Sequence, residues 1–170
     1  MQRLMLLLVL LFAPALHAQS QPATVIVVRH AEKETQPADN PPLSATGRQR
    51  VDALVEAVRH AGITSIYSTP YARTLETARG VAKVLNVPVV ETPILNRNVP
   101  AYGDSVAARA RRDGGVILVV GHSNTMAAVI KALGGPDIGE IADADYENLF
   151  VLTIAEGQAV RFIRARFGKA

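Results

Sequence analysis

The 170-residue chain contains no cysteine. A disulfide, a thiolate nucleophile and a cysteine-ligated zinc site are therefore excluded, and so is a lipid anchor on an N-terminal cysteine. Aromatic residues make up only 5% and none interleaves with a basic run, so the chain lacks the stacking and charge pattern of a nucleic-acid binder. The histidines, His17, His30, His60 and His122, are few and lack the close spacing of a metal site. No histidine follows His122, which rules out a serine hydrolase built on Gly121-His122-Ser123. Thr125 also stands where the nucleophile elbow of that fold needs glycine.

Long hydrophobic runs are scarce too. The longest, Leu4–Phe12, is too short to span a bilayer as a helix. It follows Arg3 and is closed by the small residues of Pro14-Ala15-Leu16-His17-Ala18, which is the order of a secretory signal. Residues 1–18 are expected to be a signal peptide and residues 19–170 one domain. The expected location is periplasmic or secreted, with no stable membrane insertion once the signal is gone. Removing Arg3 leaves 17 basic against 15 acidic residues, a net charge of +2. That balance is too mild for a nucleic-acid partner and fits a small or locally anionic one. About 150 residues can bury a full core without staples.

Apolar runs and helical stripes alternate along the rest. Thr24–Val28 and Val116–Val120 are wholly apolar and rich in β-branched residues, as strands buried on both faces are. Ile63–Ser68 and Val87–Glu91 read as two further strands. Ser44 is placed as a helix N-cap, followed at helical spacing by Val51, Leu54, Val55 and Val58. Leu75, Ala78, Ala82 and Leu85 stripe a second helix, and Asp104–Arg112 is a modest third. Met126, Val129, Ile130 and Leu133 stripe a fourth, stopped by Gly134-Gly135-Pro136. Glu156-Gly157 separates Leu149–Ala155 from Ala159–Phe167 as a hairpin. The fold class expected is an α/β three-layer sandwich. Its sheet is mostly parallel, helices cover both faces, and an antiparallel hairpin ends the chain.

In such sheets ligands bind beyond the carboxyl ends of the strands. Val-Ile-Val-Val-Arg29-His30 and Leu-Val-Val-Gly121-His122 place a histidine at that point twice. If the two strands are neighbours, the imidazoles face each other across one pocket. Tyr67-Ser68-Thr69-Pro70-Tyr71-Ala72-Arg73 adds a guanidinium from the next helix start. Arg29, His30, Arg73 and His122 together suit a phosphoryl dianion. His60, near a helix end, is assigned to capping the last carbonyls.

These residues carry a resemblance. Arg29-His30-Ala31-Glu32 resembles the Arg-His-Gly-Glu opening of the histidine phosphatase superfamily, the phosphoglycerate mutase-like proteins. Leu43-Ser44-Ala45-Thr46-Gly47-Arg48-Gln49 is similar to its Leu-Thr/Ser-x-x-Gly-x-x-Gln helix start. Tyr67-Ser68-Thr69-Pro70 through Arg73 and Thr77-Ala78 is similar to its Ser-Ser-Pro-x-x-Arg-x-x-x-Thr-Ala segment. Gly121-His122-Ser123 matches its second histidine motif. The Arg-His-Ala-Glu-Lys form and the export signal resemble a small exported bacterial branch, similar to phosphatases of lipopolysaccharide core sugars.

The resemblance implies a metal-independent phosphohydrolase, of the kind of the histidine acid phosphatases, without cofactor. Its substrate would be a phosphorylated small molecule or glycan. His30 would attack phosphorus and become a phosphohistidine. Arg29 and Arg73 would grip the phosphoryl oxygens and a protonated His122 would donate one more bond.

The chain departs from the family pattern at the leaving group. Ile94-Leu95-Asn96-Arg97-Asn98 carries no carboxylate where most relatives place a glutamate. Ser123 stands where the other large branch has aspartate. Glu32, Asp104 or Asp145 could donate the proton, or no residue does, in which case phosphoramidates or acyl phosphates would be favoured. Glu32 could equally clamp Arg29 or Arg73. Segments 32–42, 92–103 and 137–147 are the expected pocket rim, with Arg97 on the solvent side. A non-catalytic phospholigand-binding module of the same fold is the competing expectation. A mutase is a further one, set aside because the chain has no room for the insertions that close over a bisphosphate.

Overall fold

The structure, a computed structural model, describes residues 22–168. The proposed signal peptide, including His17, lies outside the described residues.

Strand β1 (Ala23–Arg29) is the centre of the sheet, and Val25, Val27 and Val28 in it have no exposure. Strand β4 (Gly115–Gly121) runs parallel beside it, with Arg29 opposite Gly121. Strands β2 (Ser65–Ser68) and β3 (Val89–Glu91) continue the parallel part outward from β4. On the other side β5 (Asn148–Ile154) is antiparallel to β1, and β6 (Arg161–Arg166) is antiparallel to β5. The order is β3-β2-β4-β1-β5-β6.

Strand side chains alternate between faces with a period of two, so each central strand feeds two cores. Val25, Val27, Ile117 and Val119 point to the face covered by α3 (Val99–Asp113) and α4 (Ser123–Ala132). Ile26, Val28, Leu118 and Val120 point to the face covered by α1 (Ala45–Val58) and α2 (Ala72–Leu85). This is why β1 and β4 read as unbroken apolar runs rather than as alternating ones.

Ser44 caps α1, its hydroxyl accepting from Gly47 N at 3.1 Å. Gly47 itself is required by contact: a Cβ there would collide with the Glu32 carbonyl. The Leu-Ser-x-x-Gly motif thus docks α1 directly on the turn that follows His30. Gly134, at φ +93°, ends the helical region after α4, and Gly157, at φ +71°, turns the β5–β6 hairpin. Among the described residues no helix is long and apolar enough to cross a membrane.

One reading needs correction and one is extended. Helix α3 begins at Val99, five residues before the expected Asp104. Asn98 caps it by accepting from Ala101 N at 3.0 Å, and Pro100 sits in the first turn, where its missing N–H is not needed. The buried stripe of α2 is Thr74, Thr77, Ala78 and Val81. Of the expected stripe, Ala78 is fully buried and Ala82 and Leu85 pack against the same core, while the two threonine hydroxyls turn toward the strand ends.

Candidate active site

The β1–β4 register sets the two strand-end histidines side by side. His30 and His122 follow the paired Arg29 and Gly121, and their rings lie 5.3 Å apart at 65°. Both are buried, at 2% and 9% exposure. His122 is also the N-cap of α4, its backbone N–H donating to Thr125 Oγ1 at 2.7 Å. A Cβ on Gly121 would run into that same Thr125 hydroxyl.

Each imidazole is held in a determinable tautomer. His30 Nδ1 lies 2.7 Å from the Ala31 carbonyl, which can only accept, so Nδ1 carries the proton and Nε2 keeps its lone pair. Ala31 is fixed in turn: its N–H donates to Thr77 Oγ1 at 3.0 Å, and that hydroxyl donates to the Arg73 carbonyl at 2.7 Å.

His122 is the reverse. Thr74 Oγ1 donates to the carbonyls of Thr69 and Tyr71, so at 2.9 Å from Thr69 Oγ1 it must accept. Thr69 Oγ1 then gives its only proton to Thr74 and must accept from His122 Nε2, 2.9 Å away. Nε2 therefore bears the proton, and Nδ1 accepts from Arg73 NH2 at 3.5 Å.

Burial pushes the His30 imidazole down to about 3, against the bond to Ala31, with His122, Arg29 and Arg73 adding to the effect. His122 is pushed down to about 4, by burial first and then by Arg73 and Arg29. In the pocket without a ligand, burial thus favours neutral His122, whose Nδ1 faces Arg73.

Both guanidiniums are oriented but incompletely partnered. Arg29 NH1 donates to the carbonyls of Ala142 and Asp143 at 3.0 and 2.9 Å, while the Tyr146 ring covers its Cζ at 4.3 Å. Arg73 lies over the Tyr71 ring at 4.8 Å, and burial lowers its pKa from the usual value. Nε of Arg29 and Nε of Arg73 are both buried without a hydrogen-bond partner. Buried donors are rarely left so, and here two cationic ones border one cavity of about 480 Å³. That cavity brings together all four expected site residues, Arg29, His30, Arg73 and His122. Each of the three rim segments contributes one residue to its lining: Lys33, Ile94 and Asp143.

The candidate proton donors are not brought there. Glu32 Oε1 is held by Arg50 at 2.6 and 2.7 Å, so it clamps neither Arg29 nor Arg73. Asp145 pairs with Arg166 at 3.3 Å, and Asp104 is exposed on α3. The carboxylate that does reach the cavity is Asp143, 3.5 Å from Arg29 NH2, with a side chain 99% exposed. Sequence reasoning missed Asp143 and Tyr146, which lie in a segment without periodicity. The roles of Thr69, Thr74 and Thr77 are not read from the sequence, although Thr74 and Thr77, two polar residues on the core-facing side of α2, are a usable signal. His60 and Arg97 are exposed and away from the cavity. Among the described residues no three His, Asp or Glu side chains gather as a metal-binding group.

Residues 25–97 match the family model of the histidine phosphatase superfamily, branch 1. The chain is 35% identical over 77 residues to a Proteus mirabilis protein named "Probable phosphoglycerate mutase GpmB". That match covers 42% of this chain and spans about a third of the relative's length, 36%. Among solved structures, the fold is similar to the protein histidine phosphatase SixA complexed with tungstate. The TM-score is 0.68 at 18% identity, over 84% of this chain and 96% of that one. It is also similar to phosphoglycerate mutase from Bacillus anthracis, with a TM-score of 0.63 at 15% identity, over 87% and 94%. The sequence match to the histidine phosphatase superfamily thus lies in residues 25–97, and the likeness of fold to these solved structures extends over most of the chain.

Proposed function

We propose that the chain is a metal-independent phosphohydrolase that carries the phosphoryl group on His30 Nε2. One observation carries the reading. The Nδ1 bond to Ala31 leaves Nε2 unprotonated at neutral pH, beside two guanidiniums whose buried Nε donors have no partner.

His30 Nε2 attacks phosphorus, the bond to the leaving oxygen or nitrogen breaks, and the leaving group departs with that electron pair. The transition state is loose, with charge spread over the equatorial oxygens. Arg29 and Arg73 meet that charge in place, where a divalent cation would otherwise act. A dianion arriving against the Nδ1 lone pair of His122 draws a proton there, and His122 then becomes a donor. Water attacks the phosphohistidine, the P–N bond breaks, and phosphate leaves.

None of Glu32, Asp104 and Asp145 is placed to protonate a leaving alcohol, and Asp143, which reaches the cavity, is solvent-exposed and faces Arg29. Leaving groups that need little help are therefore favoured: a phosphoramidate, an acyl phosphate or an activated ester of a small molecule or glycan. The similarity to a protein histidine phosphatase, whose bond is itself a phosphoramidate, supports that order. We extend the proposal to an exported enzyme whose mature form begins near Gln19.

The deciding experiment measures phosphate release from an aryl phosphate, a phosphoramidate and an alkyl phosphate after exhaustive EDTA treatment. Turnover of the first two, inhibited by vanadate, supports the reading. Tungstate binding without turnover of any of them would leave a non-catalytic phospholigand-binding module instead. Activity lost on chelation and restored by Mg²⁺ would remove the metal-independent mechanism.

A further inference from the structure

The segment between α4 and β5 does more than border the cavity. Its residue Tyr146 is half-buried, with its ring over the Arg29 guanidinium at 4.3 Å and 5.9 Å from the His30 ring at 60°. No other described side chain has a ring contact with both the strand-end arginine and the strand-end histidine of β1. The residues on either side point the other way. Asp145 and Glu147 both bond to Arg166 on β6, at 3.3 and 3.0 Å, and Phe167 N donates to the Glu147 carbonyl at 3.0 Å. With its two neighbours clamped on Arg166, Tyr146 is left on the side of Arg29 and His30.

We propose that Tyr146 is a positioning residue for the phosphoryl site, held in place by Arg166 through Asp145 and Glu147. The inference rests on the phosphatase reading above. The ring closes one face of the guanidinium while the Ala142 and Asp143 carbonyls hold NH1. Rotation of Arg29 is thereby blocked, with Nε unpartnered and NH2 3.5 Å from the exposed Asp143 carboxylate, which a phosphoryl oxygen would displace. The same ring limits the tilt of His30 and so the line along which Nε2 approaches phosphorus. The π face performs this role, and the phenolic hydroxyl has no part in it.

The test uses the full chain and two readouts: kcat and KM for an aryl phosphate, and tungstate affinity by calorimetry. Tyr146→Phe keeps the face and should stay within about twofold of wild type in both. Tyr146→Leu should lower kcat about 10- to 30-fold and weaken tungstate to a similar degree, with KM changing less. Arg166→Ala, at a position 63% exposed, should give part of that loss in the wild-type background and none in the Tyr146→Leu background. If Tyr146→Leu unfolds, Tyr146→Phe and Arg166→Ala still decide.

A Tyr146→Phe loss as large as that of Tyr146→Leu would make the hydroxyl the acting group and overturn the proposal. So would wild-type kinetics in Tyr146→Leu, or losses that multiply in the double variant. Wild-type protein that neither binds tungstate nor turns over would instead sink the phosphatase reading itself.

Discussion

The ends of β1 and β4 are the same place built twice, and they hold opposite protons. Both strands are β-branched, parallel, in register, and stop one residue before a buried histidine. At β1 the imidazole bonds its own backbone, Nδ1 to the next residue's carbonyl, and the distal nitrogen is left basic. At β4 the imidazole is tied at Nε2 to Thr69 on the β2–α2 connection, itself bonded to Thr74 of α2, and the nitrogen nearer the backbone meets Arg73. A nucleophile needs the first arrangement and a charge-responsive neighbour the second. The difference comes from what stands opposite: a carbonyl that can only accept, or a hydroxyl that has already given its proton away.

The largest test of this contrast replaces His30. His30→Ala should lower kcat by roughly three or more powers of ten, since no other group can form the covalent bond. Wild type quenched during turnover should carry an acid-labile, base-stable phosphoryl group on the His30 peptide. Finding it on the His122 peptide would reverse the assignment of the two strand ends.

Next come His122→Ala and Arg73→Ala. Each should cost about 3–4 kcal/mol in kcat, the scale of losing one preorganised donor in a dry site. An effect confined to KM would mean that these groups bind substrate and transition state equally.

The pH dependence of folding separates the two imidazoles quantitatively. Both are lowered, to about 3 and about 4, from 6.5. Between those values and 6.5 the unfolded chain binds protons that the folded chain does not, so stability rises with pH through that window. It is lost as pH falls from about 6.5 toward 4. Each histidine can contribute at most about 1.4 kcal/mol per pH unit. Thermal melts of His30→Asn and His122→Asn should each show a shallower dependence than wild type, and an unchanged slope in either would place that imidazole in solvent.

The smallest expected effect is at Thr69. Thr69→Val keeps the shape but removes the acceptor for His122 Nε2, and should cost about 1–3 kcal/mol in kcat. Nitrogen-15 spectra of the wild type should show the proton on Nδ1 of His30 and on Nε2 of His122. Thr69→Val should release only the second. Identical tautomers in the wild type would dissolve the contrast.

Much of the site was legible in the chain because its chemistry sits at the ends of strongly patterned elements. Val25–Val28 and Val116–Val120 announce buried strands, so the residues that follow them are located to within one position. Glu32 was legible as a residue near the site and illegible as a partner. Its clamp to Arg50 depends on α1 docking at Gly47, a contact that local sequence does not specify. Asp145 was considered as a proton donor, yet Arg166, from the far edge of the sheet, claims it. Apolar periodicity places α2 and its Ala78, Ala82 and Leu85 on the core, and it cannot mark Thr74 and Thr77, whose burial follows from hydrogen bonds to Thr69 and Ala31.

What this sequence determined by itself was the α/β alternation, the two central strands and the four residues that gather beyond their ends. Those follow from local periodicity and from the rule that a parallel sheet presents its carboxyl ends together. Only the tertiary structure decided which imidazole nitrogen is protonated, which carboxylates are withdrawn from the cavity, and that Tyr146 covers Arg29. Apart from the bond of His30 to its neighbour Ala31, each of these is a hydrogen bond or ring contact between residues far apart in the chain. Its partner is chosen by the register of strands and the docking of helices, which no short window of sequence contains.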